Sequence, residues 1–317
     1  MNKKNKILKV LLIFVLIFSL TGCTKYLKQD GKTVRNESTG QNLTKNILCQ
    51  PEGETLKLYE EYNSKADNDS KVKIENLPKC ENLKIQKGKY EGIWTSIFVK
   101  PLAWFIIQIG KLVNSYGLAL ILATLIIRGI VWPFTKKTAL QSENLKKAQP
   151  ELNKIENKYK NRQDQEAMMQ KSQEMMMVYK KYNINPLSGC LFSFIQIPLF
   201  FAFYEAISRI PAIFEETFLG FQLGTSPAIA TFQHGKYYYL IFIVIIALAT
   251  YYSFKLNSGA SMGKDQEKQM KTMTNVMVVI MTITAFSISS GIAIYWVTSN
   301  VFTIVQNLLV KRGKKHV

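Results

Sequence analysis

The chain has 317 residues, 47% of them hydrophobic, and its 41 Lys and Arg against 22 Asp and Glu give a formal net charge of +19. Apolar runs alternate with Lys-rich polar segments, and runs of roughly 18 apolar residues or more mark membrane helices rather than a soluble core. No Gly- or aromatic-studded basic motif accompanies the charge, which excludes sequence-specific nucleic-acid binding and assigns the lysines to the membrane surface and to topology.

The N-terminus carries Lys3, Lys4 and Lys6, the apolar run Ile7 to Leu20, then Thr21-Gly22-Cys23. This is the layout of a secretory signal over 1–22. Its end, LTGC, resembles the bacterial lipobox, so Cys23 is expected to carry a diacylglycerol as the mature N-terminus. An uncleaved anchor helix is the plainer alternative, and the run is short for a span. Residues 23–92 are polar, mixed in charge and without apolar periodicity. They read as a lipid-anchored extracytoplasmic segment, either a tether or a small, weakly structured unit. Cys49 and Cys80 fall within it; they are either free thiols or a disulfide worth about 3–4 kcal/mol. Cys190 reads as a small packing residue. No His/Cys set has metal-ligand spacing, since His234 and His316 are far apart, so no metal is expected.

Residues 93–113, IWTSIFVKPLAWFIIQIGKLV, mix Trp94, Phe98, Trp104 and Phe105 with Lys100, Gln108 and Lys111. Aromatics and lysines on one apolar helix suit an element lying in the headgroup plane, with a full span as the competing reading. Pro101 either breaks this helix or begins a fresh one. Five spans follow, at about 116–134, 188–207 with a kink expected at Pro198, 237–254, 274–288 and 291–309. The last two are separated only by Ser289 and Ser290 and must form a tight hairpin.

Charge sets the orientation. The loop after the first span carries Lys136, Lys137, Lys146, Lys147 and many further lysines, the loop after the third has Lys255, Lys264, Lys268 and Lys271, and the tail 311–317 is basic. The loop between the second and third spans has only Arg209 and Lys236. The positive-inside rule therefore puts the tail and the Lys-rich loops in the cytoplasm. An odd number of spans leaves the N-terminal segment outside, where a lipoprotein N-terminus belongs.

The cytoplasmic segment 136–183 reads as a helical hairpin. Leu145, Ala148, Leu152, Ile155 and Tyr159 recur at three- and four-residue steps, a coiled-coil seam. Pro150 should open or kink the first arm, and the polar break KNRQDQ separates it from the second. Met168, Met169, Met175, Met176 and Met177 lie on the second arm. Methionines are adaptable at promiscuous binding surfaces, but a short hairpin needs a core, and most of them are expected to pack inward.

No catalytic motif is present, so no enzymatic activity and no cofactor are expected. The spans lack the Asp, Glu or His relay of a proton-coupled transporter. Their polar residues are Thr124, Arg128, Gln196, Ser299, Asn300, Thr303 and Gln306, beside Tyr295 and Trp296. A guanidinium at membrane depth costs about 3 kcal/mol on insertion scales and usually faces a wet cavity. Arg128 has no evident acidic partner, because the spans contain no Asp and only Glu205, near a span end. Snorkelling is its plainer reading, over roughly 9 Å to the cytoplasmic end of its helix.

Three stretches carry a resemblance. YGLALILATLIIRGIVWPFTKKTALQS, NPLSGCLFSFIQIPLFFAFYEAI and SGIAIYWVTSNVFTIVQNLLVKR resemble the first, second and last core spans of the YidC/Oxa/Alb family of membrane protein insertases, and IFVKPLAWFI resembles their interfacial helix. The likeness covers about 93–312, in order, and the lipobox with its short extracytoplasmic segment resembles the Gram-positive type. It implies an all-α polytopic membrane protein. A five-helix transmembrane core within 114–310 would carry a cytoplasmic helical hairpin and an N-terminal interfacial helix, and would enclose a hydrophilic groove open to cytoplasm and lipid. Arg128, Gln196 and Trp296 match groove positions, with Thr124, Tyr295 and Asn300 expected beside them. Phe192 departs from the Pro often found after GCL. The partners implied are nascent membrane proteins, lipids, the Sec translocon, the ribosome and the signal recognition particle system. A secondary transporter for an anionic solute, or an assistant of the Sec translocon that does not act alone, are the alternatives.

Overall fold

The computed structural model describes residues 24–67, 70–85, 90–162, 164–185, 188–257 and 264–313, without the side chains at 138, 188–195, 257, 264–270, 273 and 313. The signal segment, the expected lipidation site Cys23 and the side chains of Cys190 and Phe192 lie outside what is described. The contacts divide the chain into two compact units. One is Met1–Ala123 with Leu199–Tyr239 and Ser287–Tyr295; the other is Thr124–Pro198 with Leu240–Phe286 and Trp296–Val317.

Four helices are long and apolar enough to cross a membrane among the described residues: Thr95–Val113, Tyr116–Lys158, Tyr237–Leu256 and Ser290–Arg312. Three of them contain predicted spans. The helix Ser188–Ser208 covers the predicted second span and continues past Pro198. The predicted fourth span is the apolar end, Thr274–Ala285, of a helix that begins at Lys264 and packs against Leu240–Asn257. The chain is thus an all-α polytopic membrane protein in its main part. Among the described residues the strands are two-residue pairs, in 28–33 and 217–222.

Pro101 does not break the helical run Thr95–Val113. A π turn, Thr95–Val99, leads into α-helix Lys100–Val113, and Pro101 sits in the first turn, where its missing N–H is no loss. Asn114, at φ +53, ends this helix in the left-handed conformation that Asn tolerates.

In the first unit, the described residues of 24–92 are folded around a core rather than forming a tether or a weakly structured segment. Asp30-Gly31, both at positive φ, form the tight turn of a two-stranded hairpin pairing Lys28 with Thr33 and Gln29 with Lys32. Leu27, Leu43, Ile47, Tyr59, Tyr62 and Val72 form its buried core. The Tyr59 hydroxyl donates to the Thr44 carbonyl at 2.7 Å and accepts from the Thr44 amide at 3.1 Å. Cys49 and Cys80, 31 residues apart, form a disulfide. Composition concealed this unit because few side chains are buried and the cross-link supplies what a small core lacks.

The connection 209–239 in the same unit is also built. Helix Pro211–Glu215 leads to a hairpin pairing Thr217 with Gln222 and Phe218 with Phe221, and Ser226 caps helix Pro227–Phe232. Glu216 closes the N-terminus of the Tyr116 helix. Its carboxylate accepts from the Ser115 hydroxyl at 2.7 Å, the Gly117 amide at 3.2 Å and the Tyr116 amide, satisfying donors that helix geometry leaves unpaired.

The predicted first span and the first hairpin arm are one helix, Tyr116–Lys158, with Pro133 and Pro150 inside it; from Thr124 onward it belongs to the second unit. Pro150 therefore does not open the arm. The second arm is Gln165–Lys181, capped by Asp164, whose side chain accepts from the Ala167 amide. Ala148, Leu152, Val178, Tyr179 and Ile184 form the hairpin core, with Leu145 and Ile155 against it. Glu151 accepts from Lys181 at 2.6 Å and Tyr182 at 2.7 Å, and Glu174 from Lys158 at 2.6 Å and Tyr159 at 2.8 Å. These bonds hold both carboxyls below the usual range and both lysines above theirs.

The methionines correct an expectation. Met175 packs against the hairpin core, but Met168, Met169, Met176 and Met177 are exposed by 48–61%. The core is closed instead by Val178 and Tyr179, which sit on the face turned toward the first arm.

Candidate functional site

Helix Ser290–Gly313 supplies the site's scaffold. Trp296, Ser299, Asn300, Thr303, Gln306 and Asn307 recur at three- and four-residue steps and share one face. Val301, Val305, Leu308 and Leu309 are exposed, as a lipid-facing surface requires. Polar side chains in hydrocarbon need partners, and this stripe finds them. Thr303 and Asn307 donate back along their own helix, to the Ser299 carbonyl at 2.9 Å and the Thr303 carbonyl at 2.8 Å. The buried Gln306 amide donates to the Thr135 hydroxyl at 2.7 Å. Trp132 meets Phe302 edge to face at 5.5 Å, an apolar contact beside the polar one.

Arg128 is the charged member. It is 4% exposed, and its Nη2 donates to Gln196 Oε1 at 2.6 Å and to the Ser299 hydroxyl. Three helices therefore meet at one guanidinium: Tyr116–Lys158, Ser188–Ser208 and Ser290–Gly313. Both acceptors are neutral and both take their hydrogen bond from Nη2, which orients the guanidinium. The expectation of a guanidinium open to a wet cavity is modified accordingly, because the group is buried and held.

The other predicted site residues divide. Trp296 donates its Nε1 to the buried Thr250 hydroxyl at 2.9 Å, tying in helix Leu240–Asn257. Asn300 donates to the Trp296 carbonyl at 2.9 Å, and Thr124 is fully buried one helical turn before Arg128. Tyr295 lies elsewhere: it belongs to the first unit and stacks on Phe203 at a centroid distance of 4.2 Å. Thr135 and Thr250 were missed, because a single Thr in an apolar helix carries no signal of its own. Ser299, Thr303 and Gln306 were visible as polar span residues, and their common spacing was the signal that they form one face.

Glu205 has its partners within its own unit. In the first unit its Oε1 accepts from Trp94 Nε1 at 3.0 Å, and its Oε2 lies 4.0 Å from Arg209. Arg209, fully buried, donates to Glu91 at 2.6 Å and to the Asn46 carbonyl at 2.6 Å. Sequence reasoning missed Arg209, although Glu205 and Arg209 stand four residues apart. Among the described residues no cluster of His, Cys, Asp or Glu is arranged to hold a metal ion.

A family model described as 60Kd inner membrane protein matches residues 108–316. The membrane protein insertase YidC of Oceanobacillus iheyensis is 35% identical over 223 residues, 70% of this chain and 85% of its own length. Membrane protein insertase YidC 2 of Bacillus anthracis is 38% identical over 224 residues, 70% of this chain and 83% of that one. Membrane protein insertase MisCA of Bacillus subtilis is 33% identical over 219 residues, 69% and 79% of the two chains. A crystal structure of an active YidC insertase with its first transmembrane domain resolved aligns over 78% of this chain with a TM-score of 0.50 and 24% identity. The chain spans about half of that one, 52%, and this likeness bears on the fold.

Proposed function

We propose, from the premise that the chain belongs to the 60Kd inner membrane protein family, that it is a membrane protein insertase acting as a multi-pass protein of the cell membrane. The observation that carries this reading is Arg128 held by Gln196 and Ser299 against the polar face of the last helix. A polar extracytoplasmic segment crossing a bilayer loses its hydration, at several kcal/mol per unpaired group, roughly 2–7 by reference state. A polar track at membrane depth lowers that cost, and a guanidinium oriented by neutral partners offers a countercharge to acidic segments. Hydrophobic partitioning then releases client helices into lipid along apolar outer faces. The membrane potential adds about 2.3 kcal/mol per charge per 100 mV for acidic segments.

The remaining parts follow the same reading. Cys23 carries lipid, residues 24–92 face outward, and the C-terminus is cytoplasmic. The helix Thr95–Val113 lies at the membrane interface, supported by exposed Ile97, Phe98 and Leu112. The hairpin receives nascent chains through the targeting system, the ribosome or the Sec translocon, and its exposed methionines support a contact surface there.

The test is reconstitution of the purified chain in liposomes with a small Sec-independent client, scored by protease-protected insertion. Insertion above empty liposomes, impaired for acidic-tailed clients by Arg128→Ala and partly kept by Arg128→Lys, is expected. Equal insertion by wild type and Arg128→Ala removes the countercharge role. No insertion by a folded, correctly oriented protein favours the Sec-assisting role, and uptake of an anionic solute by the protein alone favours the transporter.

A further inference from the structure

The hairpin Thr217–Gln222 has an unusual tip. Leu219 is 80% exposed and stands at φ +51, followed by Gly220 at +83. Tight hairpin turns of this kind are normally made by Asn, Asp or Gly, which reach the left-handed region readily, whereas a bulky side chain there is uncommon. The first hairpin of the chain obeys the rule, with Asp30-Gly31 at +51 and +75. The second places a large apolar side chain at its most protruding point.

The tip is held stiffly. Phe221 packs on Tyr238 at 5.3 Å and edge-on to Tyr239 at 5.1 Å. The Tyr238 hydroxyl donates to the Gly220 carbonyl at 3.2 Å, and the Gln222 amide donates to the Tyr239 hydroxyl at 2.7 Å. In the same connection Phe232 and Tyr237 are exposed by 76% and 68%, and helix Pro227–Phe232 packs against Tyr237–Tyr239. Large exposed apolar side chains on a braced loop mark a contact surface.

Its height identifies the contact. Gly117, in the first turn of the Tyr116 helix, lies so close to the Phe218 ring that a Cβ would collide with it. Glu216, one residue before the hairpin, caps that same turn. Tyr237–Tyr239 are the first residues of the helix Tyr237–Leu256. The hairpin therefore lies beside the first turns of two helices long and apolar enough to cross a membrane, and such ends meet the headgroup boundary favoured by tyrosines and other amphipathic rings. We propose that Leu219, with Phe232 and Tyr237, forms a lipid anchor dipping into the outer leaflet. It rests on the reading that these helices cross the membrane with residues 209–239 outside, and not on client insertion.

The experiment places a genetically encoded, environment-sensitive fluorescent amino acid at 219 in the full chain. The protein is reconstituted in phosphatidylethanolamine/phosphatidylglycerol vesicles, with the same probe at Asp30 as the matched turn in water. Position 219 should give blue-shifted emission, quenched by lipids spin-labelled near the headgroup end of the acyl chain, while position 30 is quenched by aqueous iodide. Iodide quenching at 219 without lipid quenching overturns the proposal and leaves a protein partner for this surface. Wild-type protein provides a second measurement. Diazirine lipids should label the segment 217–239 and lose most of that labelling in Leu219→Asn/Phe232→Asn, where Asn suits the turn. Labelling that is absent, or unchanged in the variant, also overturns it.

Discussion

Replacing Arg209 by Met tests how residues 24–92 are held within their unit. The side chain is wholly buried, with 2.6 Å bonds to Glu91 and the Asn46 carbonyl and a 4.0 Å approach to Glu205. Met fills much of the same volume, so the loss is electrostatic rather than a cavity. Removing one partner of a buried ion pair costs about 3–5 kcal/mol. The Glu91 side chain is 31% exposed and turns partly to water, which puts the expectation at the low end, about 3 kcal/mol. Glu205 is left with one bond, from Trp94. The Leu48 amide, which donates to the Arg209 carbonyl at 2.9 Å, supplies the probe. Hydrogen exchange of a peptide covering Leu43–Cys49 should quicken on the order of 100-fold in Arg209→Met, through opening of this unit. Adding Glu205→Gln should recover part of the protection, since a neutral amide no longer demands a countercharge. Unchanged exchange in Arg209→Met, or no recovery in the double variant, refutes the reasoning.

Three further outcomes are expected. Reducing Cys49–Cys80 releases a closed loop worth about 3–4 kcal/mol, so proteolysis within 24–92 should accelerate while the 145–182 hairpin digests as before; equal digestion with and without reductant counts against this. Glu216→Ala strips the cap from the Tyr116 helix at about 1–2 kcal/mol, read as faster exchange of the Tyr116 and Gly117 amides, and unchanged rates refute it. In the hairpin, Glu151 and Glu174 titrate below their ordinary 4.5 when folded. Their small contribution is complete above that value and lost as pH falls through the lower folded values. Protection of 145–182, corrected for intrinsic rates, should therefore decline from pH 5 to pH 3, and a flat profile excludes the two carboxylates.

Local periodicity determined most of the helical plan. Apolar run lengths located three of the four helices long and apolar enough to cross a membrane among the described residues, and the steps Leu145, Ala148, Leu152, Ile155 and Tyr159 gave a hairpin seam that Ala148 and Leu152 fill. A lone Arg among apolar residues singled out Arg128 because its cost in hydrocarbon is intrinsic to the side chain. Only the tertiary structure decided what meets what. The acceptors of Arg128, at Gln196 and Ser299, lie 68 and 171 residues away, and the bonds from Arg209 to Glu91 and from Trp94 to Glu205 bridge more than a hundred positions. No periodic pattern encodes such pairings. The same limit hid the fold of 24–92, whose core joins Leu27 to Val72 across a polar sequence, and the outward turn of the methionines. Lipid and protein core both accept apolar side chains, so composition reports that a residue leaves water, and packing alone decides which of the two it enters.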